Sequence, residues 1–265
     1  MIYVISDIHG CLDELQALLK KIGLSDTDRL ILAGDYVDRG KQSREMLEWL
    51  ETKPLNVTAI KGNHDVEYVE YVRLMQRIDK KNELMTDATS NEDAKMLYDT
   101  VRYQFKQKSP LGLLYFDYYN TIYDLIEQKG ITLGDLIRWA DMLEKLPYYE
   151  RFDVNGRDCV VVHAGFCEDV ARLGDDYKGL EDFYLYARED ATDIGGIPHG
   201  MVVAGHTPTI NEDSRFYNDG EVFRYHDMEK DCTFFDIDCG CVFYEDYPSG
   251  TLACLRVDDE EVFYL

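Results

Sequence analysis

The sequence predicts an α/β protein: a sandwich of two mixed sheets, helices on both outer faces, and one helical insertion. Three observations predict it. The first sixty residues alternate short apolar runs with amphipathic helical stretches in the order βαβαβ. The last fifty residues carry short apolar runs separated by turn residues, as antiparallel hairpins do. Between Val66 and about Leu146, helix formers dominate and strand signals vanish. Residues 1–265 therefore read as a single domain with an insertion or cap at about 66–146.

Ile2 to Ile5 is the first strand, interrupted by Ser6-Asp7-Ile8-His9-Gly10. Leu12, Leu15, Leu18, Leu19 and Ile22 recur at helical spacing, and Gly23 is a stop signal. Leu30–Ala33 is the second strand and runs into Gly34-Asp35-Tyr36-Val37-Asp38-Arg39-Gly40. Ser43 to Leu50 is helical, with Met46, Leu47 and Leu50 on one face, and Pro54 breaks it. Val57–Ile60 is the third strand and ends in Gly62-Asn63-His64-Asp65; right-handed crossovers are expected. Inside the insertion, helices are expected over Val66–Ile78, Ala94–Phe105, Leu111–Ile126 and Leu133–Leu146. A polar, mobile connection is expected over Asp79–Asp93, and Tyr115-Phe116-Asp117-Tyr118-Tyr119 reads as cap packing or a stacking surface. Strands return at Tyr148–Val154 and Cys159–Val162, around an Asn155-Gly156 turn. Met201–Ala204, Phe234–Ile237, Cys241–Tyr244, Leu252–Leu255 and Val262–Tyr264 follow.

A hydrophobic content of 45% with 12% aromatic residues excludes a disordered chain. A formal net charge of −24 argues against nucleic acid and anionic membranes as partners, by like-charge repulsion. No apolar run approaches membrane-spanning length, and the chain enters its first strand without the basic n-region of a signal peptide. The seven Cys are odd in number and lack Cys-x-x-Cys spacing, so reduced thiols and a cytoplasmic location are expected. Nothing in the sequence sets an oligomeric state.

Polar residues of one kind gather where apolar strands stop: Asp7 and His9; Asp35, Asp38 and Arg39; Asn63 and His64; His163; His206. Sites in open α/β sheets form at such ends. Four of the six His lie there, whereas His199 and His226 have no such setting and read as surface residues. A lone His is commonly a satisfied core or surface residue, but repeated His and Asp behind apolar strands is not a packing pattern. Oxygen and imidazole donors without thiolates suit Mn, Fe, Zn, Co or Ni. Two adjacent ions sharing a carboxylate clamp the attacking and leaving oxygens of an in-line displacement. Phosphoryl transfer asks for positioning and charge neutralisation, which cations and guanidinium groups supply.

Asp7-Ile8-His9-Gly10, Gly34–Gly40, Gly62–Asp65, His163-Ala164-Gly165 and Gly205-His206-Thr207 resemble, in this order, the motifs of calcineurin-like metallophosphoesterases. The chain looks most like the small bacterial and phage-type serine/threonine phosphatases of the phosphoprotein phosphatase branch. The resemblance implies a four-layer α-β-β-α sandwich and a dinuclear metal centre, with manganese favoured. It assigns Asp7, His9 and Asp35 to the first ion, and Asp35, Asn63, His163 and His206 to the second. It makes Arg39 a phosphate ligand, His64 the general acid and Asp38 the group that orients His64. Arg188, in Tyr186-Ala187-Arg188-Glu189, fits the second phosphate clamp, and Ile237-Asp238-Cys239-Gly240 fits a structural turn near the site. The substrate implied is a phosphoprotein or a small phosphoester, attacked by a water activated at the metals.

Departures and rivals are visible. Ser6 stands where many members have Gly, and Asp65 where eukaryotic members have Glu. The sister family of symmetrical diadenosine tetraphosphate hydrolases shares the fold, Gly-Asn-His-Asp, and a closing Cys239-Gly240-Cys241 with Gly250-Thr251-Leu252. It typically lacks an acid at the position of Asp38 and the Thr at 207, so the sequence favours phosphomonoesters. A non-catalytic metal-bearing scaffold predicts a damaged ligand set, and the set is intact. The insertion leaves the chain directly after His64, so it is expected to bury its apolar faces over the site and govern access.

Overall fold

The computed structural model of the protein describes residues 1–79, 91–108 and 121–265. The first sheet has the order β10-β9-β1-β2-β3. Its strands are β1 (Ile2–Ile5), β2 (Arg29–Leu32), β3 (Val57–Ala59), β9 (Ala253–Arg256) and β10 (Glu261–Tyr264). β1, β2 and β3 run parallel, and β9 and β10 add antiparallel at the edge. The second sheet has the order β4-β5-β6-β8-β7, built from β4 (Tyr149–Val154), β5 (Arg157–Val162), β6 (Gly200–Ala204), β7 (Phe223–Asp227) and β8 (Cys232–Asp236). β5, β6 and β8 are parallel and the two outer strands antiparallel, so both sheets are mixed, as expected.

Three apolar clusters define the layers. Val4, Ile31, Ala33 and Ile60 meet Val161, Val203 and Phe235 between the sheets. On the outer face of the first sheet lie α1 (Leu12–Ile22) and α2 (Ser43–Thr52), packed through Leu15, Leu18, Met46 and Leu47. On the outer face of the second sheet, Val160, Val162 and Val202 meet Phe183 and Tyr184. The parallel strands are buried on both faces, which is why they read as continuous apolar runs rather than alternating ones. Each fully buried Val, Leu or Ile contributes roughly 1.5–3 kcal/mol.

The insertion supplies α3 (Asn63–Ile78), α4 (Asn91–Lys108), α5 (Thr121–Glu127) and α6 (Leu133–Leu143). Thr132 and Asp135 form a capping box at the start of α6. Tyr71 of α3 stacks on Tyr98 of α4 at 5.3 Å, and Tyr68 of α3 donates to the Leu136 carbonyl of α6. These helices bury their apolar faces in the same cluster as α1 and α2. The expected connection Asp79–Asp93 and the stretch Tyr115–Tyr119 lie, apart from residues 79 and 91–93, outside the described residues. So does the first part of the helix expected from Leu111; its last part is α5.

Several expectations change. α3 begins at Asn63 rather than Val66, which puts Asn63 and His64 in its first turn. Cys241–Phe243 is a 3-10 turn, not a strand, because Gly240 turns the backbone to φ 72° and pairs in an isolated bridge with Thr251. Helices α7 (Leu180–Tyr186) and α8 (Asp190–Asp193) and strand β7 were not expected. His226 lies on β7 with its Nδ1 3.2 Å from Thr233 Oγ1, rather than on bare surface.

Candidate metal centre

The strand ends converge. Asp7 and His9 follow β1, and Asp35, Asp38 and Arg39 follow β2. Asn63 and His64 open α3 just after β3, while His163 follows β5 and His206 follows β6. Asp7, His9, Asp35, Asp38, Arg39 and His206 all have positive φ, between 45° and 75°. Non-glycine residues hold that conformation only where their surroundings fix it. Here the two loops lace together: His9 N–H donates to the Asp35 carbonyl at 2.8 Å, and Gly10 N–H to the Tyr36 carbonyl at 2.8 Å. Gly62 is required by close approach, since a Cβ there would sit 2.1 Å from Asp35 Oδ1.

The buried imidazoles are oriented by backbone carbonyls. His9 Nδ1 lies 2.9 Å from the Val37 oxygen, and His163 Nδ1 lies 2.9 Å from the Ala33 oxygen. A carbonyl only accepts, so both rings carry the proton on Nδ1 and turn an Nε2 lone pair inward. His163 Nε2 lies 3.5 Å from Asp35 Oδ1, and His9 Nε2 3.4 Å from Asp35 Oδ2. Asn63 Oδ1 is 2.9 Å from His163 Nε2 and 3.0 Å from His206 Nδ1.

Among the described residues, two groups have donor atoms all within 4.8 Å of one another: His9, Asp35 and His64, and Asp35, His163 and His206. Asp35 is common to both. Burial holds the His9 and His206 rings well below the usual imidazole range, so both are neutral and able to coordinate. Burial also pushes the Asp35 carboxyl well up, reinforced by the carboxylates of Asp7 and Asp65 and opposed by His64 and Arg39. Lone pairs converging on a buried carboxylate fit divalent cations, which would supply the missing positive charge. Asp7 is buried in the same place, but its Oδ2 accepts the His206 backbone N–H at 3.0 Å, and it stands outside both groups.

Beside these donors, His64 Nδ1 lies 2.8 Å from Asp38 Oδ2. Burial lowers the His64 pKa, but the Asp35 charge and the Asp38 hydrogen bond outweigh it, and the net shift is upward. The Arg39 guanidinium lies 2.9 Å from His9 Nε2 and 3.0 Å from His64 Nε2, and stacks on the Phe243 ring at 5.3 Å. Arg188 reaches the same cleft, its Nη1 3.5 Å from Thr207 Oγ1. The cleft has a volume of about 740 Å³ and is lined by Asp35, Asn63, His64, both arginines and two aromatic rings, Tyr186 and Phe243. Of the ten candidate site residues, seven line it, and Asp7, His9 and His163 are buried without lining it.

Asp65 was read in the sequence only as a motif residue, and its role went unread. Asp65 accepts from the N–H groups of Asp35, Tyr36 and Gly62 at 2.9, 3.0 and 2.8 Å, which ties the Asp35 loop to the start of α3. Burial pushes its carboxyl up to about 6, even against those three donors. An acid three residues after Gly62 is a helix-start signal that could have found it. Glu67 and Phe243 carry no local signal that places them in the cleft, and Tyr186 was quoted only as the neighbour of Arg188.

The family described as calcineurin-like phosphoesterase matches residues 1–231. A symmetrical bis(5′-nucleosyl)-tetraphosphatase of Chromobacterium violaceum is 26% identical over 100% of the chain and 94% of its own length. Proteins of the same name from Pseudomonas putida and Azotobacter vinelandii are 33% and 34% identical, over 54% and 39% of the chain. Those two alignments span 48% and 37% of the relatives' own lengths, about half or less. Among solved structures, a metallophosphoesterase from Sphaerobacter thermophilus shares the fold with a TM-score of 0.50 and 21% identity, over 99% of this chain and 86% of that one.

Proposed function

Since the chain belongs to the calcineurin-like phosphoesterase family, we propose that it is a metal-dependent hydrolase that cleaves bis(5′-nucleosyl) tetraphosphates symmetrically, to two nucleoside diphosphates. The observation that carries this reading is the full-length relationship to a protein named for that activity. The cleft is compatible with it. Its lining includes a guanidinium stacked on an aromatic ring, Arg39 on Phe243, and also Arg188 and Tyr186. Guanidinium groups and aromatic rings in one cleft suit a substrate that carries both phosphates and bases.

His9, Asp35, Asn63, His163 and His206 would hold two cations, with Asp7 supporting them, and manganese is the ion we favour. When bound, the ions supply Lewis acidity and a water of lowered pKa. Arg39 and Arg188 bind the phosphate oxygens and keep the scissile bridge in line. The water oxygen forms a bond to one of the two central phosphorus atoms. The bridging P–O bond breaks, and its electron pair stays with the departing diphosphate. His64, held by Asp38, points Nε2 at the cleft to give that oxygen a proton.

A second reading, phosphomonoester hydrolysis as in serine/threonine phosphatases, is favoured by one observation: the 2.8 Å Asp38–His64 pair. An alkoxide leaving group needs a proton far more than a nucleoside diphosphate does. Chromatography of products separates the readings. Incubation of the manganese-loaded protein with diadenosine tetraphosphate should yield ADP alone. ATP with AMP, or no turnover beside rapid dephosphorylation of phosphopeptides, would reject the first reading.

A further inference from the structure

The insertion reaches into the catalytic pair. Thr121, the first residue of α5, donates from Oγ1 to Asp38 Oδ1 at 3.2 Å. The other oxygen of the same carboxylate takes His64 Nδ1 at 2.8 Å. Both Thr121 and Asp38 are only 4% exposed, so water has little access to the bond between them. We propose that Thr121 is a positioning residue: its hydroxyl fixes the Asp38 carboxylate so that the second oxygen holds His64 aimed at the leaving oxygen. The inference rests on the reading of His64 as general acid and adds a third member to the relay.

Three features make the contact a designed one. Asp38 sits at φ 75°, a conformation a non-glycine residue keeps only under constraint. Its carboxylate has a single torsion between the backbone and the sp² group's own broad rotation, so one bonded oxygen leaves the plane free to turn. A donor on the second oxygen removes that freedom. Finally, Thr121 is itself held rigidly. Ile122, Leu125 and Ile126, all buried, pin α5 into the apolar cluster that contains Met46 and Leu47 of α2, and α2 follows the Asp38 loop. Loop and donor are thus carried on one packed unit. Arg44 of α2 adds a bond to the Lys129 carbonyl just past α5.

An unmade bond leaves a buried oxygen without its partner, which is the costly half of hydrogen bonding. The expected result is a blurred His64 orientation rather than a lost metal site, because Thr121 contacts no residue of either donor group among the contacts described.

The test compares Thr121→Val, isosteric without the hydroxyl, with Thr121→Ser, which keeps it. Manganese-loaded enzymes would be assayed on aryl phosphates spanning nitrophenol to unsubstituted phenol. Thr121→Val should lower kcat on phenyl phosphate about tenfold and on nitrophenyl phosphate about twofold, steepening the dependence on leaving-group basicity. KM should move little, and Thr121→Ser should return the slope to within about twofold of wild type. An unchanged slope in Thr121→Val, or an equal defect in Thr121→Ser, overturns the inference and leaves the enzyme reading intact. If His64→Asn itself shows no change of slope, the general-acid reading and the inference fall together. A measurement without turnover covers poor substrates: in the zinc-loaded protein, the low-field proton resonance of His64 Nδ1–H, identified by its loss in His64→Asn, should broaden in Thr121→Val and persist in Thr121→Ser. A resonance unaltered by the valine overturns the inference.

Discussion

Asp35 Oδ1 lies 3.5 Å from His163 Nε2, so a carboxylate at the end of a strand in one sheet faces an imidazole at the end of a strand in the other. The same carboxylate meets His9 through its second oxygen. Asp35→Asn keeps the shape and removes the charge. Elemental analysis of the wild-type protein after manganese loading and desalting is expected to give two ions per chain, and the variant at most one. Two retained ions in the variant would show that Asp35 is not shared.

His64→Asn should keep its metal content and lose about 10²–10⁴-fold in turnover of phenyl phosphate, the usual worth of general acid catalysis. The loss on nitrophenyl phosphate should be smaller, because that oxygen leaves readily without a proton. Asp38→Asn should show the same pattern more mildly. Uniform losses across the series, or a fall in metal content, would assign His64 to the metals instead, a role that its place in the donor group with His9 and Asp35 makes checkable.

Gly62→Ala inserts a carbon 2.1 Å from Asp35 Oδ1 and 2.2 Å from Asp35 N. Both atoms are tied, Asp35 N–H to Asp65 at 2.9 Å and Oδ1 to the His64 N–H at 3.0 Å. Urea unfolding should show a loss on the order of 2–4 kcal/mol, as for other severe steric changes in a packed interior, together with weakened metal retention. Gly130→Ala is a poor control despite its open surroundings, because its φ of 86° is itself strained.

Asp28 gives a pH-dependent prediction away from the site. The Ser25 hydroxyl first, then the Ser25 N–H and the Met1 ammonium group, hold its carboxyl down at about 2, from 3.8. A folded pKa below the unfolded one means that the stabilisation is fully present above about 3.8 and lost as pH falls through about 2. The stability gap between wild type and Asp28→Asn, measured by urea titration, should therefore be constant from pH 7 to 5 and close on acidification below 4. A gap that widens towards low pH has the opposite sign and would contradict this linkage.

All seven Cys are buried and free. Burial pushes the Cys159 and Cys254 thiols up to about 12, which leaves almost no thiolate at neutral pH. A chromogenic disulfide reagent should react with essentially none of them in the native protein and with all seven in urea. Rapid labelling of a native thiol would place that Cys differently.

Much of the site was legible because its residues sit beside strong local signals. Asp7, Asp35, His163 and His206 each follow a run of buried apolar residues, and parallel strands covered on both faces leave an unmistakable pattern. Thr121 was not legible. It stands 83 residues from Asp38, and only the packing of α5 on α2 brings the two together. Strand β7, Phe-Arg-Tyr-His-Asp, was missed because it is a half-covered edge whose polar side chains hide the period. Cys241–Tyr244 misled in the other direction: four β-prone residues follow a glycine whose left-handed backbone ends the extended course. Asp35 and Asp38 were set apart in the sequence only by the motif they resemble, and their partners in the fold differ accordingly: the His64 N–H for Asp35 and the His64 ring for Asp38.

The donor atoms come from both halves of the sandwich, and Asn63 and His206, whose side chains touch at 3.0 Å, are 143 residues apart along the chain. A cation gripped there is a cross-link closing a long loop, and such closures restrict the unfolded chain more than the folded one. If cations bind there, stripping them with a chelator should lower the urea midpoint of the protein, because it removes a link between the two sheets. On that reading, metal supply would act on the lifetime of the fold as well as on its chemistry.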